Sequence, residues 1–278
     1  HALRLAAVTL TCLAALASTA QARTLPALHA VPDRASGGRI VDAQGRQVLL
    51  RGINVNQLGE YWQGTAVPPT LPLTADDPKQ IAAIGWNVVR LIVSWSRVEP
   101  SPGRYDAAYL RSVATQIRRL RDRGVYSIVD LHQDAWGATL AARAGEVCAE
   151  GTKPALGWDG APAWATLDDG GARCYTGTRE LSAAVMNSWA SFFADRAAAD
   201  GVGIQTRYVA MLRHLSRTFA RDSAVAGLDV MNEPGAFGDV AQAALSRFYA
   251  RAVTAIPRGE KGARGLPHHI LLGPSVLW

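Results

Sequence analysis

A carboxylate follows directly on an apolar segment late in the sequence. Residues 227–234 read Gly-Leu-Asp-Val-Met-Asn-Glu-Pro. Pro234 has no N–H to donate within a central strand, so the predicted strand ends there and Glu233 lies at its carboxyl end. A carboxylic acid held there, next to the amide of Asn232, is suited to protonate the leaving oxygen of a glycosidic bond. Glu233 is therefore the predicted general acid and base; a structural carboxylate paired with an arginine is the alternative.

Asn232 and Arg90 are the predicted supports of this acid. Asn232 fits a hydrogen bond to the 2-hydroxyl of a sugar, and a turn-forming asparagine before proline is the alternative. Arg90 lies inside an apolar run, where a buried guanidinium needs a carboxylate partner. We expect Arg90 to orient a second catalytic carboxylate. A salt bridge to Asp130 or Asp229, lower in the same sheet, is the alternative.

A third apolar run ends in His132, Gln133 and Asp134. His132 is the predicted hydrogen-bond partner of the substrate or of the catalytic carboxylates, and a histidine that only supports the fold is the alternative. Gln133 and Asp134 are predicted ligands of sugar hydroxyls. In a parallel barrel the carboxyl ends of all strands meet at one rim, so these residues are expected beside Glu233.

Aromatic residues follow the same strand ends. Trp95, Trp136 and the pair Tyr61 and Trp62 lie in predicted rim loops. Their faces could stack on sugars or receive a lipid tail, and packing within the core or the loops is the alternative. Trp136 is the one that we assign to substrate binding.

Strand-like and helix-like segments alternate along the chain and would position these residues. The predicted strands are residues 50–55, 87–93, 125–131, 227–231 and 269–276, and the predicted helices are residues 78–84, 105–123, two segments with helical stripes at 181–192 and 204–219, and 239–255. This alternation predicts an α/β fold with a buried parallel sheet. We expect a (β/α)8 barrel that is truncated after about five βα units. A doubly wound open sheet is the alternative, but the first strand is not followed by a glycine-rich phosphate loop.

The N-terminal residues resemble a secretory signal. An apolar run at 5–17 and a small-x-small site at 20–22 predict a signal peptide over residues 1–22. Residues 23–38 are expected to form a loose lead-in, and residues 39–278 the barrel domain. Within that domain, residues 39–42 and 46–50 flank a glycine-containing turn and predict a hairpin.

Cysteine use agrees with export. Outside the predicted signal the chain has two cysteines, Cys148 and Cys174, both in the long polar segment 135–178. A disulfide between them is expected in an oxidising compartment, which would be the periplasm or the extracellular space. The spacing of the two cysteines does not indicate a metal site, so no metal is expected.

The charge balance is moderately basic. The chain has 29 basic and 23 acidic residues, for a formal net charge of +6. Several arginines fall on the outer face of one predicted helix, where a solvated surface is the ordinary explanation. We expect no nucleic-acid partner, and contact with an anionic membrane surface is the alternative use of this face.

These motifs together resemble glycoside hydrolase family 5, a family of retaining (β/α)8 glycosidases. The matching residues are the segment Arg51-Gly52-Ile53-Asn54, Arg90, His132 and the segment Asn232-Glu233-Pro234. The sequence around His132 and Glu233, with the long segment after the third strand, is similar to the endoglycoceramidase branch. That branch cleaves the β-linkage between an oligosaccharide and the ceramide of a glycosphingolipid.

The resemblance implies a retaining double displacement in which Glu233 is the acid/base. It implies a monomer that needs no cofactor, acts on a carbohydrate or glycolipid, and makes peripheral contact with a membrane surface. The family's nucleophile is a glutamate at the end of strand seven, a position that this chain does not contain, so we predict no turnover by the 278-residue chain alone. A β-glucan hydrolase of the cellulase or mannanase type is the alternative enzyme. A non-catalytic sugar- or lipid-binding protein is the alternative from another class.

Overall fold

The computed structural model describes residues 24–35, 37–59 and 73–276. The predicted signal peptide and the pair Tyr61 and Trp62 lie outside these ranges, so the expectations for them stay predictions. Within the described ranges, no helix is long and apolar enough to cross a membrane.

Five parallel strands form the sheet that carries the candidate site. In spatial order the strands are β3 (Gly52–Val55), β4 (Val88–Ser94), β5 (Tyr126–His132), β8 (Val225–Asp229) and β9 (His269–Leu271). The three central strands are almost wholly buried, as expected for strands covered on both faces. The α/β class with a parallel sheet is as predicted.

Helices follow the strands and cover the sheet. They are α1 (Asp77–Ala83), α2 (Trp95–Val98), α3 (Ala107–Arg121), α4 (Ala183–Phe193), α5 (Ile204–Phe219) and α6 (Gly238–Gly262). Helix α3 shows why the local sequence folds in this way. The side chain of Asp106 caps its first turn by accepting the N–H groups of Ala108 and Tyr109. An apolar stripe that includes Val113 and Ile117 packs into the core.

Two element ends differ from the predictions by more than two residues. Helix α6 continues through Pro257 to Gly262 rather than ending at Ala255. Strand β9 stops at Leu271, and the chain then turns until the N–H of Val276 donates to the carbonyl of Pro234. Residues 273–276 therefore lie beside the candidate acid instead of extending the sheet.

The lead-in is more ordered than predicted. Its residues Leu28–Val31 form strand β1, which pairs antiparallel with β2 (Arg39–Asp42). The predicted hairpin partner of β2 is reduced to one bridge, between Val41 and Gln47. Leu28 is buried, and this apolar anchor explains why the segment is not a loose lead-in.

The long segment after β5 folds over the carboxyl ends of the strands. It contains the two-residue strands β6 (Lys153–Pro154) and β7 (Cys174–Tyr175), which pair antiparallel. The predicted disulfide between Cys148 and Cys174 is present in this segment. We call residues 135–178 the rim insertion.

Candidate active site

Glu233 lies just beyond the end of β8 in a left-handed backbone conformation. Its φ is +39°, which is uncommon for a residue with a side chain. The side-chain amide of Gln133 donates to the carbonyl oxygens of both Asn232 and Glu233, at 2.8 Å each. These bonds hold the strained segment, and the Glu233 side chain remains exposed.

A groove of about 330 Å³ opens beside Glu233. It is lined by Arg90, Asp229, Met231, Asn232, Glu233 and residues 273–276. Among these lining residues Asp229 is the other carboxylate, and Arg90 is bonded to it. The described part of the chain therefore gives the groove one uncommitted carboxyl group, on Glu233.

Arg90 connects three side chains beneath the groove. Its Nη2 lies 2.8 Å from Asp229 Oδ2 and 3.0 Å from Asp130 Oδ1, and it donates to Asn232 Oδ1 at 3.0 Å. The structure thus shows the alternative role of Arg90, a salt bridge to Asp130 and Asp229. The amide of Asn232 is held at both ends, because its Oδ1 accepts from Arg90 and its Nδ2 donates to the backbone carbonyl of Gln133.

His132 lies within a group of carboxylates. Its Nδ1 is 2.7 Å from Asp130 Oδ2, and its Nε2 is 3.5 Å from Asp134 Oδ2 and 3.4 Å from Asn232 Nδ2. Burial alone would lower the pKa of the imidazole, but the bonds to Asp130 and Asp134 raise that pKa to about 10. At neutral pH the ring is a cation that can donate to a sugar hydroxyl.

Asp159 belongs to this group and was not predicted from the sequence. It lies in the rim insertion, its exposed fraction is 0%, and its backbone carbonyl accepts the N–H of Asp134. Burial raises the pKa of its carboxyl group to about 7, although the charge of His132 opposes the shift. No strand-end pattern marks Asp159, so only the folded insertion shows its position.

Gln133 and Trp136 are placed differently from the predictions. Gln133 is buried, and its amide is occupied by the backbone carbonyls of residues 232 and 233 and by the N–H of Trp136. Successive residues of a strand point to opposite sides, so Gln133 faces away from the side shared by His132 and Asp134. Gln133 is therefore a support for the Glu233 backbone rather than a ligand of sugar hydroxyls.

Trp136 belongs to the core instead of the rim. Its exposed fraction is 2%, and its ring lies edge-on to Trp95, Trp189 and Phe192. Trp95 is buried as well. The packing alternative is correct for both tryptophans, because the rim insertion folds down and covers them.

Asp134 remains available for a ligand. Its side chain is 23% exposed, with His132 Nε2 at 3.5 Å and Arg179 Nη2 at 3.7 Å. The predicted residues Glu233, Asn232, Arg90, His132 and Asp134 thus form one connected group at the carboxyl ends of the strands. The described residues leave the side chain of Glu233 exposed.

Comparison with known proteins decides the family. The model of Cellulase (glycosyl hydrolase family 5) matches residues 41–273, which is most of the chain. The chain belongs to glycosyl hydrolase family 5. The matched range contains Arg90, His132, Asp134, Asn232 and Glu233. The family fold confirms the expected (β/α)8 class.

Solved structures of ceramidase-type glycosidases are similar to this chain. A crystal structure of endogalactoceramidase superposes with a TM-score of 0.84 at 40% identity, covering 91% of this chain and 54% of that one. Endo-glycoceramidase II from Rhodococcus sp., in its ganglioside GM3 complex, gives a TM-score of 0.69 at 25% identity over 88% of this chain and 52% of that one. The chain therefore spans about half of each solved relative.

A curated relative points the same way. Endoglycoceramidase I of Rhodococcus hoagii (strain 103S) is 35% identical over 117 residues, which are 40% of this chain and 23% of the relative. The resemblance to the endoglycoceramidase branch, first seen around His132 and Glu233, is confirmed.

Proposed function

We propose that this family 5 chain carries the acid/base half of an exported retaining glycosidase that cleaves the β-bond between a saccharide and ceramide. The observation that carries the proposal is the placement of Glu233. Its carboxyl group is exposed to the groove while its backbone is held by the buried Gln133. Such an arrangement fixes where the proton is delivered without occupying the acid itself.

The neighbouring groups suit the glycone side of the bond. Arg90 fixes the Asn232 amide at the groove, where it can meet a sugar 2-hydroxyl. The charged imidazole of His132 donates, and the carboxylate of Asp134 accepts, so together they can bind adjacent hydroxyls. In the retaining reaction Glu233 first protonates the leaving oxygen and then activates water, while a second carboxylate attacks the anomeric carbon. That second carboxylate is not among the described residues that line the groove.

Glycolipid is favoured over soluble glucan by the relatives and by the rim insertion. The insertion and the turn that follows it expose Val147, Leu156 and Leu181, with exposed fractions of 92%, 43% and 47%. Exposed apolar side chains on a segment that follows the strand end of His132 suit a substrate whose leaving group is lipid, and a peripheral contact with the surface that holds it. The disulfide in the same insertion supports export to an oxidising compartment.

A β-glucan hydrolase is the second candidate. The matching family model is described as a cellulase, and the Cellulase/esterase CelE of Acetivibrio thermocellus is 26% identical over 116 residues. The polar residues that line the groove could bind the hydroxyl groups of a glucan chain as well as those of a glycolipid.

Substrate profiling of the full-length gene product tests the proposal. Glucosylceramide-type and lactosylceramide-type lipids in detergent are compared with soluble β-glucans, and ceramide and reducing sugar are measured separately. We expect ceramide release that is lost in Glu233→Gln and kept in Asp239→Asn, a control at an exposed carboxylate on α6. Release of sugar from glucan alone would establish the second candidate. Sugar binding without any hydrolysis would establish a non-catalytic protein.

A further inference from the structure

We propose that the exposed groove between α5 and α6 binds an oxyanion of the phosphate class, supplied either as free phosphate or as the headgroup of an anionic lipid. The groove consists of two adjoining hollows, which we call together the arginine groove. None of the residues that line these hollows lines the groove beside Glu233. The inference therefore does not depend on the proposed function.

Arginines line both hollows, and in the described part of the chain no carboxylate side chain does. The first hollow has a volume of about 420 Å³ and the second of about 430 Å³, within the range of small-ligand sites. Arg217 lines both of them. The arginines of the first hollow are Arg213, Arg217, Arg251 and Arg258, and Arg221 and Arg264 join Arg217 in the second. This lining favours an anion as the ligand.

The arginines of the first hollow come from two neighbouring helices. Arg213 and Arg217 are four residues apart on α5, and Arg251 and Arg258 are seven residues apart on α6, so each pair lies on one side of its helix. Like charges at the four-residue spacing repel each other. An anion bound between the helices would offset that repulsion.

Close packing of α5 against α6 fixes this arrangement. Ser216 Oγ donates to the carbonyl of Ile256 at 2.9 Å. Gly259 permits the approach, because a Cβ atom there would collide with Ser216 Oγ and with the carbonyl oxygen of Arg213. The backbones that carry the arginines are thus in place before a ligand arrives, which lowers the cost of ordering on binding.

Three arginines of the first hollow have no counter-charge from the described protein. Arg251 pairs with Asp195 at 3.0 Å. Arg213, Arg217 and Arg258 are exposed, and no carboxylate oxygen of the described ranges lies within 4.0 Å of their guanidinium groups. A guanidinium presents parallel N–H groups that match two oxygens of a phosphate. These three side chains are therefore the proposed ligands.

His214 gives a second sign of positive potential in the first hollow. Its ring lines the hollow and stacks on Tyr105, with the ring centres 4.0 Å apart. Burial and the charge of Arg217 lower the pKa of the imidazole. An anion bound beside Arg217 would oppose this effect, so His214 can report on the occupancy of the hollow.

The test uses the full-length gene product in chloride buffer, with inorganic phosphate as the probe. Calorimetry measures the affinity, and NMR of the ring nitrogens measures the pKa of His214. We expect saturable binding that raises this pKa. Arg217→Gln should weaken phosphate binding about tenfold or more, because a charge-assisted hydrogen bond is lost, and should itself raise the pKa of His214. The control Arg118→Gln removes the same charge from the exposed face of α3 and should change neither quantity.

Folding is checked by thermal unfolding of the same samples without phosphate. Arg217→Gln should unfold at the temperature of the parent protein, because its side chain is exposed. If it does not fold, Arg258→Gln replaces it, and the same loss of phosphate binding is expected.

Flotation with phosphatidylglycerol vesicles, against phosphatidylcholine vesicles, identifies the source of the phosphate group. Binding to the anionic vesicles that Arg217→Gln abolishes and Arg118→Gln keeps would assign the groove to a lipid headgroup. Phosphate binding without such flotation would assign it to free phosphate. The proposal is overturned if the parent protein shows no saturable phosphate binding, or if folded Arg217→Gln and Arg118→Gln bind phosphate equally.

Discussion

Glu233 is exposed, whereas Gln133 and Asn232, which hold it in place, are buried. Its backbone carbonyl and that of Asn232 accept from Gln133, and the Asn232 side chain accepts from Arg90. This division keeps the carboxyl group free to exchange protons while its position stays fixed. Its neighbours on the β5 side, His132 and Asp134, carry the opposite charges needed to hold hydroxyl groups.

At the residue scale, the charge of His132 can be measured directly. We expect the imidazole to stay protonated until the pH approaches about 10, because Asp130 and Asp134 hold its pKa high. The folded pKa lies above the ordinary value of about 6.5, so the ion pairs stabilise the fold fully below pH 6.5. That contribution is lost as the pH rises through 10.

Long-range ¹H–¹⁵N NMR of the ring nitrogens follows this titration. Asp134→Asn should lower the pKa of His132. His214, whose pKa is lowered by burial and by Arg217, serves as the internal control in the same spectra. Titration of His132 near 6.5 in the parent chain would contradict the described geometry.

The sequence predicts which residues lie together at the strand ends, while their roles stay predictions. Glu233, Asn232, His132 and Asp134 were placed correctly because a parallel sheet brings its carboxyl ends together. Gln133 was misplaced because the alternation of a strand continues one residue past its end, which turns that side chain away. Asp159 could not be found, since its approach to His132 depends on how the rim insertion folds.

At the element scale, Gly160 fixes the rim insertion to the sheet. Its N–H donates to Ser94 Oγ, and its carbonyl accepts the N–H of Ser96. Its φ is +142°, and a Cβ atom there would lie 2.2 Å from the carbonyl oxygen of Trp136. Only glycine fits both the conformation and the space, and this contact holds Asp159 over His132.

Gly160→Ala should therefore lower the free energy of unfolding by about 2–4 kcal/mol, from unfavourable φ and from the clash. Gly151→Ala is the matched control, since its φ is +79° and nothing lies within 4 Å of an added Cβ. That change should cost about 1 kcal/mol. Urea unfolding measures both, and equal losses would show that Trp136 yields to the added methyl group.

Element boundaries follow less closely from sequence than element types. The order of the sheet strands and of the longer helices agrees with the prediction, because each shows a long apolar run or an apolar stripe in the sequence. Strand β1 was missed because the short segment Leu28–Val31 shows its role only through pairing with β2 and the burial of Leu28. Helix α6 passes Pro257, and its packing against α5 through buried residues such as Ile256 explains how the helix continues.

At the scale of the whole molecule, the described sheet has two edges, β3 and β9. Apolar side chains are exposed at or next to them, with Ile53 at 42%, Leu49 at 76% and Leu272 at 46%. Unpaired apolar edges promote association between chains. The groove beside Glu233 lies next to the β9 edge, because residues 273–276 that follow β9 line it.

The 278-residue chain alone is expected to show no glycosidase turnover. A retaining enzyme needs two carboxyl groups about 5–5.5 Å apart, and the described groove offers Glu233 with Asp229 already bonded to Arg90. Release of dinitrophenol from an activated β-lactoside measures this. Appreciable release that Glu233→Gln abolishes would prove the prediction wrong.

The most direct test of the central claim is azide rescue of Glu233→Ala in the full-length gene product, with a dinitrophenyl β-lactoside as substrate. Its leaving group needs no proton, so the first step survives, while the second step lacks its base and stalls. Azide needs no base, and we expect it to restore turnover in the variant and give the β-lactosyl azide, with no comparable gain in the parent protein. A folded Glu233→Ala variant that turns over like its parent, or that azide leaves inactive, would contradict the assignment of Glu233 as the acid/base.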